Sequence, residues 1–360
     1  MAGRKHHHIP QHLLRGFATG ADKRHAQVWV FRADRPPFVR STENYGAQRD
    51  FYGDPVDTRV DDLITDAENG RFNGFIDELR KAGNGATIES RDAARFYQHL
   101  LYRTKNIRSV FTEITSRMVS ATVGELLQKE KLVPFLMELC ARHSHQLLGK
   151  AETQLGRAFT PAERLAVRIF LEKKLSSLVP EFVEQQWPAL EASIGGLVAR
   201  IPEIVEAGHQ KALLENFSND GGKREEEMRQ LHWRVYDVQE RLVLGDSCSF
   251  ALLKSGKFKP FTDASDESST LYLPVSTFRF LAGEHPGQNP LLSPSELVRG
   301  AVECSYESFC AAEKAGSLEL MVKNLGRSAM PVSHEELRQI ATDGLGDLLV
   351  ERLAKGFSDL

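Results

Sequence analysis

The sequence predicts an α+β protein that is mostly helical, with a small sheet formed by an early strand and residues about 233–276, plus C-terminal helices. Apolar residues recur with helical spacing from Val56 to Phe217, and segments typical of strands lie before and after this block. The 360 residues are 41% hydrophobic and 26% charged, which is near globular averages. Disordered and coiled-coil classes are therefore disfavoured.

The first predicted strand is QVWVFRA (27–33), because its aromatic and β-branched side chains show little helical pattern. Arg35, Pro36 and Pro37 are expected to end it, and residues 38–52 are expected to be irregular. A single strand needs a hydrogen-bonding partner. We therefore expect it to join the sheet formed by residues 233–276.

Start signals and apolar stripes define the helices of the central block. Thr160, Pro161 and Glu163 supply an N-cap, a first-turn proline and a capping-box acid. The helix that follows is expected to bury one stripe, made of Val167, Leu171, Leu175 and Leu178. Further helices are predicted near residues 90–104, 133–148 and 202–217.

The last third of the chain is predicted to contain strands and then helices. Residues 233–253 are typical of two or three short strands, and residues 270–276 of one more. Capping signals start one helix at Ser293 and another at Ser333, the second running to about Lys355. We predict a sheet lobe (1–55 with 229–280), a helical block (56–217) and C-terminal helices (291–360), together forming one discontinuous compact unit.

Net charge and cysteine content limit the classes of function. The formal net charge of −3 provides no global basic field, so nucleic-acid binding would need a local patch. The four cysteines include no C-x-x-C pair and are expected to be buried thiols in a reducing cytoplasm. The chain shows no signal-peptide core and no long apolar run, so we predict a cytoplasmic protein without a membrane partner.

Four histidines lie near the start of the chain: His6, His7, His8 and His12. Pro10 suits the first position of a helix, and the apolar residues after it would hold this segment against the body of the protein. Neutral imidazoles held in this way could be metal ligands or a general base. The alternatives are a purification tag, or an exposed polar start with one histidine bound to a carbonyl.

Glu68 is an acid on the apolar side of a predicted helix. If one helix runs from Val60 to Leu79, Glu68 lies one turn after Ile64 on its inner stripe. Burying a lone carboxylate is costly, so such an acid needs a cation. It would be half of a structural ion pair, a catalytic or metal-binding acid, or a surface residue if Gly70 breaks the helix.

Two arginines on the next helix are the obvious partners. Arg103 lies at the edge of an apolar stripe over residues 93–104, and Arg108 points into it if the helix continues. A guanidinium keeps its charge, so an inward arginine needs a carboxylate or a phosphate. Both pairing with Glu68 and phosphate binding remain open. Arg95 and His99 lie opposite the stripe and are expected to face solvent.

Asp246 follows the apolar strand RLVL (241–244), in the sequence LGDS. The end of a strand commonly presents a working side chain from a fixed scaffold, and Gly245 would allow close approach of the backbone. The alternative is an Asx turn, in which the aspartate bonds its own backbone.

These segments together resemble the bacterial domain of unknown function 4238 family, through HHHIPQHLLRGF, QVWVF, DFYGDP, LLYRTKNIR, LHWRVYD, LVLGDS and LYLPVS. The resemblance extends from about Lys5 to Ala311. The paired histidines of the family correspond either to His6 and His7 or to His7 and His8, and its Ser-Asp-x-Pro is Gly-Asp-Ser-Cys here. The resemblance implies one set of residues and no particular reaction: His7, Glu68, Arg103, Arg108 and Asp246.

Two functions fit this set. The first is a metal-assisted phosphodiester hydrolase, similar to a nuclease of a bacterial defence or toxin system, acting on nucleic acid or another phosphate-bearing ligand. His6, His7 and Asp246 would hold a divalent metal ion, while Arg103 and Arg108 would neutralise the phosphoryl charge. The second is a non-catalytic binding or interaction module, in which the same side chains form a buried network that orients the histidine-rich segment.

Overall fold

The computed structural model describes residues 5–19, 26–52, 58–126, 129–142, 144–218, 222–261, 268–285, 287 and 292–330. The predicted helix from Ser333 to Lys355 lies outside the described residues. Contacts within the chain divide it into two compact units. Unit 1 comprises Met1–Phe111 and Glu203–Pro331, and unit 2 comprises Thr112–Pro202 and Val332–Leu360. The three-part division predicted from the sequence stays a prediction.

The first 103 residues alternate short strands and helices. The strands are β1 (Lys5–His7), β2 (Gln27–Arg32), β3 (Arg35–Ser41), β4 (Ala47–Arg49) and β5 (Thr87–Ile88). The helices are α1 (Gln11–Leu14), α2 (Arg59–Ala67), α3 (Asn73–Lys81) and α4 (Ser90–Arg103). A 3-10 turn (Arg15–Phe17) follows α1, and a π-helical turn (Glu68–Phe72) joins α2 to α3.

Long helices follow, and strands then return. The helices are α5 (Lys105–Leu126), α6 (Lys129–Arg142), α7 (Ser144–Leu155), α8 (Pro161–Ser218) and α9 (Lys223–Arg229). The strands are β6 (His232–Asp237), β7 (Leu244–Gly245), β8 (Phe250–Leu253), β9 (Phe258–Lys259), β10 (Ser268–Ser276) and β11 (Arg279–Glu284). The last described elements are α10 (Pro294–Glu303), β12 (Ser308–Ala311), α11 (Gly316–Met321) and a 3-10 turn (Val322–Asn324). The α+β class is confirmed.

The strands form separate sheets rather than the single sheet predicted. One has the order β5-β6-β11-β10-β8-β9, a second has the order β3-β2-β12-β7, and β1 pairs with β4. The early strand β2 shares its sheet with β7, which lies within residues 233–276, but not with β6, β8 and β10. The prediction of one common sheet was therefore right only in part. The partners of β2 are β3, through a hairpin, and β12, where Phe309 stacks on Phe31 with ring centroids 4.9 Å apart.

β3 is a strand although it contains Pro36 and Pro37, which were expected to end the extended region. It lies at the edge of its sheet, where a residue without an N–H group removes no hydrogen bond from the ladder. The hairpin returns directly from Arg32 to Arg35. The prolines therefore mark a sheet edge and not the end of the strand.

The helix prediction around Glu68 is confirmed, with one change in geometry. Gly70 does not break the helix, because the chain passes through it in the π-helical turn. Such a turn adds one residue to the helical repeat. Phe72, Phe75 and Leu79 are buried after it, so the inner face continues into α3.

The core of unit 1 includes side chains from both larger sheets and from α4. The predicted stripe of α4 is buried, and Tyr97 packs on Trp233 with ring centroids 5.6 Å apart. A Cβ atom at Gly283 would lie 2.8 Å from the Trp233 ring, so this strand position must be glycine. Ser293 and Glu296 form the predicted capping box of α10.

Unit 2 contains α6, α7 and parts of α5 and α8, with a small buried cluster of Leu132, Leu175, Val179 and Val183. The predicted capping box at Thr160 and Glu163 is confirmed. Leu178 is 51% exposed, so its place in the buried stripe was wrong. The helix predicted near residues 133–148 does not end there, because α7 continues through Gly149 to Leu155. Within the described residues, none of the helices is both long and apolar enough to span a membrane.

Candidate functional site

Arg103 lies at the centre of a buried polar network, with only 1% of its side chain exposed. Its Nη1 donates to Glu68 Oε1 at 2.5 Å and to His99 Nε2 at 3.0 Å. Its Nη2 donates to the backbone carbonyl of His7, which also accepts from Tyr52 Oη at 2.9 Å. Burial lowers the pKa of Arg103, but Tyr52 and Glu68 raise it above its ordinary value. The guanidinium therefore stays charged while it ties three segments of chain together.

His6 is held by Tyr52, which also bonds the His7 carbonyl of the Arg103 network. Its Nδ1 accepts the backbone N–H of Tyr52 at 3.1 Å, and its ring stacks on the Tyr52 ring at 5.3 Å. Because Nδ1 accepts a hydrogen bond, Nε2 carries a ring proton, and it lies 3.6 Å from Asp61 Oδ2. His7 turns its Nε2 to the carbonyl of Glu43, and burial lowers the pKa of His7.

Arg108 belongs to a neighbouring set of contacts. It donates to the carbonyl of Phe51 at 2.8 Å and to Glu206 at 3.3 Å, and its guanidinium lies 4.4 Å from the centroid of the Phe51 ring. The edge of that ring meets His209, whose Nε2 donates to the carbonyl of Tyr102 at 2.7 Å. Arg108 thus binds backbone, an acid and an aromatic face of unit 1.

His209 is expected to make the protein sensitive to acid. Burial lowers the pKa of His209 to about 4 from its ordinary 6.5, so unfolding lets it gain a proton between these values. Its contribution to stability is complete above pH 6.5 and is lost as the pH falls towards 4. We expect His209→Gln, which keeps an N–H donor for Tyr102, to spare about 2 kcal/mol of the loss between pH 8 and pH 5. Urea unfolding at the two pH values measures this difference.

The matched control is His232→Gln, because His232 is exposed on β6. This variant is expected to lose the same stability as the wild type on acidification. If His209→Gln loses as much stability between pH 8 and pH 5 as the wild type does, burial of the neutral His209 imidazole is not the cause of the acid sensitivity.

Asp246 follows β7, as predicted, but its side chain bonds a different segment of chain. Oδ1 accepts the backbone N–H of Tyr306 at 2.7 Å, and Oδ2 accepts those of Glu307 and Ser308 at 2.7 and 2.8 Å. The Asx-turn alternative is therefore wrong. Burial raises the pKa of Asp246 to about 6, although the three N–H groups act in the opposite direction. The aspartate fixes the start of β12 beside β7.

A cavity of about 240 Å³ lies against Asp246. Its lining includes one imidazole and five charged side chains, from the four-stranded sheet and the residues next to it, the residue after β1 and the start of α5: His8, Arg32, Arg40, Lys105, Asp246 and Glu307. Lys105 Nζ donates to both carboxylate oxygens of Glu307 at 2.9 and 3.1 Å, and Arg32 Nη1 lies 3.6 Å from Oε2 of the same residue. Arg40 is exposed on β3.

Gly46 holds His8 in the wall of this cavity. Its carbonyl accepts the backbone N–H groups of His8 and Ile9 at 2.8 and 3.1 Å, and its φ of +68° favours glycine. The His8 ring is 8% exposed, lies 5.4 Å from the Phe51 ring, and its Nδ1 has no hydrogen-bond partner. Burial, followed by the charge of Lys105, lowers the pKa of His8 to about 3. The ring is therefore neutral at physiological pH.

The structure brings only part of the predicted set together. His7, Glu68 and Arg103 meet directly, although His7 contributes its carbonyl rather than its imidazole. Within the described residues, no group of three or more His, Cys, Asp or Glu side chains is arranged to hold a metal ion. His6, His7 and Asp246 therefore do not form the predicted metal centre, because their polar atoms bond Tyr52, Glu43 and the start of β12.

Two members of the network were missed or misplaced by the sequence. His99 is 4% exposed, so its expected solvent exposure was wrong. The centroids of the Phe72 and His99 rings are 4.3 Å apart. The buried residues of α4 thus extend beyond the predicted stripe. Burial holds the pKa of His99 well below its ordinary value. Tyr52 gave no sequence signal beyond its place in DFYGDP.

Among the comparisons with known proteins, only the one with family models gives a match. A family model described as "Protein of unknown function (DUF4238)" matches residues 5–286. No curated protein and no solved structure matches the chain. The matched segment begins with β1, ends just after β11 and contains the Arg103 network and Asp246. The chain therefore belongs to the DUF4238 family.

Proposed function

We propose that this protein is a non-catalytic binding module whose ligand site is the cavity between His8 and Asp246. The observation that carries the proposal is the position of Arg103, which binds the backbone carbonyl of His7, the residue next to His8. The network that the sequence singled out thereby supports one wall of the cavity. Asp246 supports another part of the lining through the backbone at Glu307 and Ser308.

Buried networks of this kind orient neighbouring segments and perturb pKa values without taking part in chemistry. Ligand sites are typically concave, preformed and provided with a few fixed polar groups. The cavity has this character, since its cationic side chains come from β2, β3 and α5. A ligand would therefore meet a site whose walls need little reordering.

Filling the cavity is expected to abolish binding. Ser109 lines the cavity from α5 and is only partly buried, so the indole of Ser109→Trp can occupy the space without entering the core. We expect compounds found by ligand-observed NMR screening of neutral and charged fragments to bind the wild type and to bind Ser109→Trp at least about tenfold more weakly.

Ser109→Ala is the matched control, because it removes the hydroxyl and leaves the cavity open. It should bind the same fragments as the wild type. Equal binding by Ser109→Trp, in a protein that melts normally, would place the fragments elsewhere and contradict the proposal.

Phosphodiester hydrolysis is a second candidate, and the observation that favours it is the acid in this cavity. A carboxyl with a pKa of about 6 could donate a proton to a leaving oxygen, with Arg32 and Lys105 close to the phosphoryl group. Release of nitrophenol from bis(p-nitrophenyl) phosphate, with and without Mg²⁺ or Mn²⁺, separates this candidate from the binding module. Turnover that is reduced in Arg40→Ala would favour the hydrolase.

The cytoplasmic location predicted from the sequence is part of the same proposal. Cys248, Cys304 and Cys310 are buried thiols in the described structure. Burial raises the pKa of each of these thiols, so they are unreactive side chains of the core. Free thiols of this kind are typical of a reducing compartment.

A further inference from the structure

We infer that the cavity takes a small phosphate-bearing molecule, an inference that rests on the binding site proposed above. Three cationic side chains line the cavity: Arg32, Arg40 and Lys105. Arginine and lysine bind phosphate oxygens through charge-assisted hydrogen bonds. Lys105 also begins α5, whose amino-terminal end carries a partial positive charge. The cations and the helix end therefore favour an anion in the same space.

The carboxylate of Glu307 lies where we expect the phosphate group of the ligand to bind. This carboxylate lies between Lys105 and Arg32, at 2.9 Å from Nζ of the first and 3.6 Å from Nη1 of the second. With 34% of its side chain exposed, Glu307 can turn away more easily than a buried acid. A phosphate entering the cavity would take over Lys105 Nζ and Arg32 Nη1, while Arg32 Nε stays bound to Asp34 Oδ1 at 2.8 Å. Glu307 would then compete with the ligand.

His8 supplies a contact of a different kind. Its Nδ1 is buried in the cavity wall without a partner, which is unusual for a polar atom at this depth. Since the ring is neutral, Nδ1 can form one hydrogen bond with a hydroxyl or ester oxygen of the ligand, and the ring adds no charge to the site. The site therefore suits a phosphate attached to a small hydroxylated group.

The size of the cavity limits the ligand. Its 240 Å³ is below the range of roughly 300 to 1,000 Å³ that is typical of sites for drug-sized ligands. A phosphorylated sugar fits this space better than a polynucleotide chain, whose further phosphates would lie outside it. We therefore choose a small phosphorylated molecule over nucleic acid.

The test is calorimetric titration of the full chain with inorganic phosphate, ribose 5-phosphate and a short single-stranded oligonucleotide, each at constant ionic strength set with chloride. We expect saturable binding of phosphate and tighter binding of ribose 5-phosphate. Arg40→Ala should weaken both by about tenfold, through loss of one charge-assisted contact. Glu307→Gln should strengthen both by several-fold, because the competing carboxylate is gone.

Arg35→Ala is the matched control, because Arg35 lies on the same strand as Arg40 and pairs with Asp34 at 3.2 Å. It should bind phosphate as the wild type does. The inference is overturned if phosphate gives no more heat than chloride, if Arg40→Ala and Arg35→Ala bind equally, or if the oligonucleotide binds more tightly than ribose 5-phosphate. If neutral fragments bind and Ser109→Trp blocks them while phosphate fails, the binding module stands without this ligand.

Discussion

Replacing Arg103 with methionine is expected to lower the free energy of unfolding by about 3 to 5 kcal/mol. The guanidinium is 1% exposed and donates to Glu68, to His99 and to the carbonyl of His7. Methionine fills a similar length but donates no hydrogen bond. The variant would therefore leave Glu68 without this cation and would remove one donor each from His99 Nε2 and from the His7 carbonyl, which keeps its bond from Tyr52 Oη. Urea unfolding at pH 7.5 measures the difference.

The control for this prediction is Arg35→Met, which removes an exposed arginine from an ion pair with Asp34. Exposed pairs contribute roughly 0 to 1 kcal/mol, so this variant should unfold close to the wild type. A double-mutant cycle with Glu68→Gln should show coupling between Glu68 and Arg103 of at least about 0.5 kcal/mol. Stability of Arg103→Met within 1 kcal/mol of the wild type would contradict a structural network, and would return Arg103 to the list of ligand-binding residues.

The contact between Glu68 and Arg103 could be predicted from the sequence as one of two alternatives, because Glu68 lay on the inner stripe of one helix and Arg103 at the edge of the stripe on the next. A charged side chain in such a position needs an opposite charge from the protein or from a ligand. The helical spacing alone shows that both residues lie on the buried side of their helices. The π-helical turn did not disturb this result. It kept the helix continuous past Gly70, so Glu68 remained on the inner side.

The partners of His7 and Asp246 could not be predicted, because they are backbone groups. Arg103 binds a carbonyl of His7 that any residue would supply, and Asp246 binds N–H groups about 60 positions later. The type of a residue does not indicate that its backbone group accepts or donates such a bond. The sequence also did not indicate that β2 and β7 form a separate sheet, since the strand that joins them, β12, is only four residues long.

His99 shows a different limit of periodic patterns. Its place opposite the stripe of α4 predicts exposure only if the other side of the helix meets solvent. In the structure α4 also packs against α9 and under the Phe72 ring, so nearly all of its second half is buried. A histidine on the second packed side then becomes an acceptor for Arg103.

Replacing Asp246 with alanine is expected to destabilise the protein by about 3 kcal/mol at pH 5, because three buried backbone N–H groups lose their acceptor. The loss should depend on pH in a particular direction. Burial raises the pKa of Asp246 to about 6 from its ordinary 3.8, so the folded wild type holds a proton that the unfolded chain has released between these values. The stability contributed by this group is complete below pH 3.8 and declines as the pH rises to 6.

The cost of Asp246→Ala should therefore shrink by about 1.4 kcal/mol between pH 5 and pH 7.5, while contributions from buried histidines cancel, since both proteins contain them. Asp66→Ala, at an exposed position of α2, should change stability by less than about 0.5 kcal/mol at either pH. Urea unfolding of the three proteins at both pH values gives the comparison. An Asp246→Ala variant as stable as the wild type would mean that this acid is kept for chemistry in the cavity and not for fixing β12, which would favour the hydrolase over the binding module.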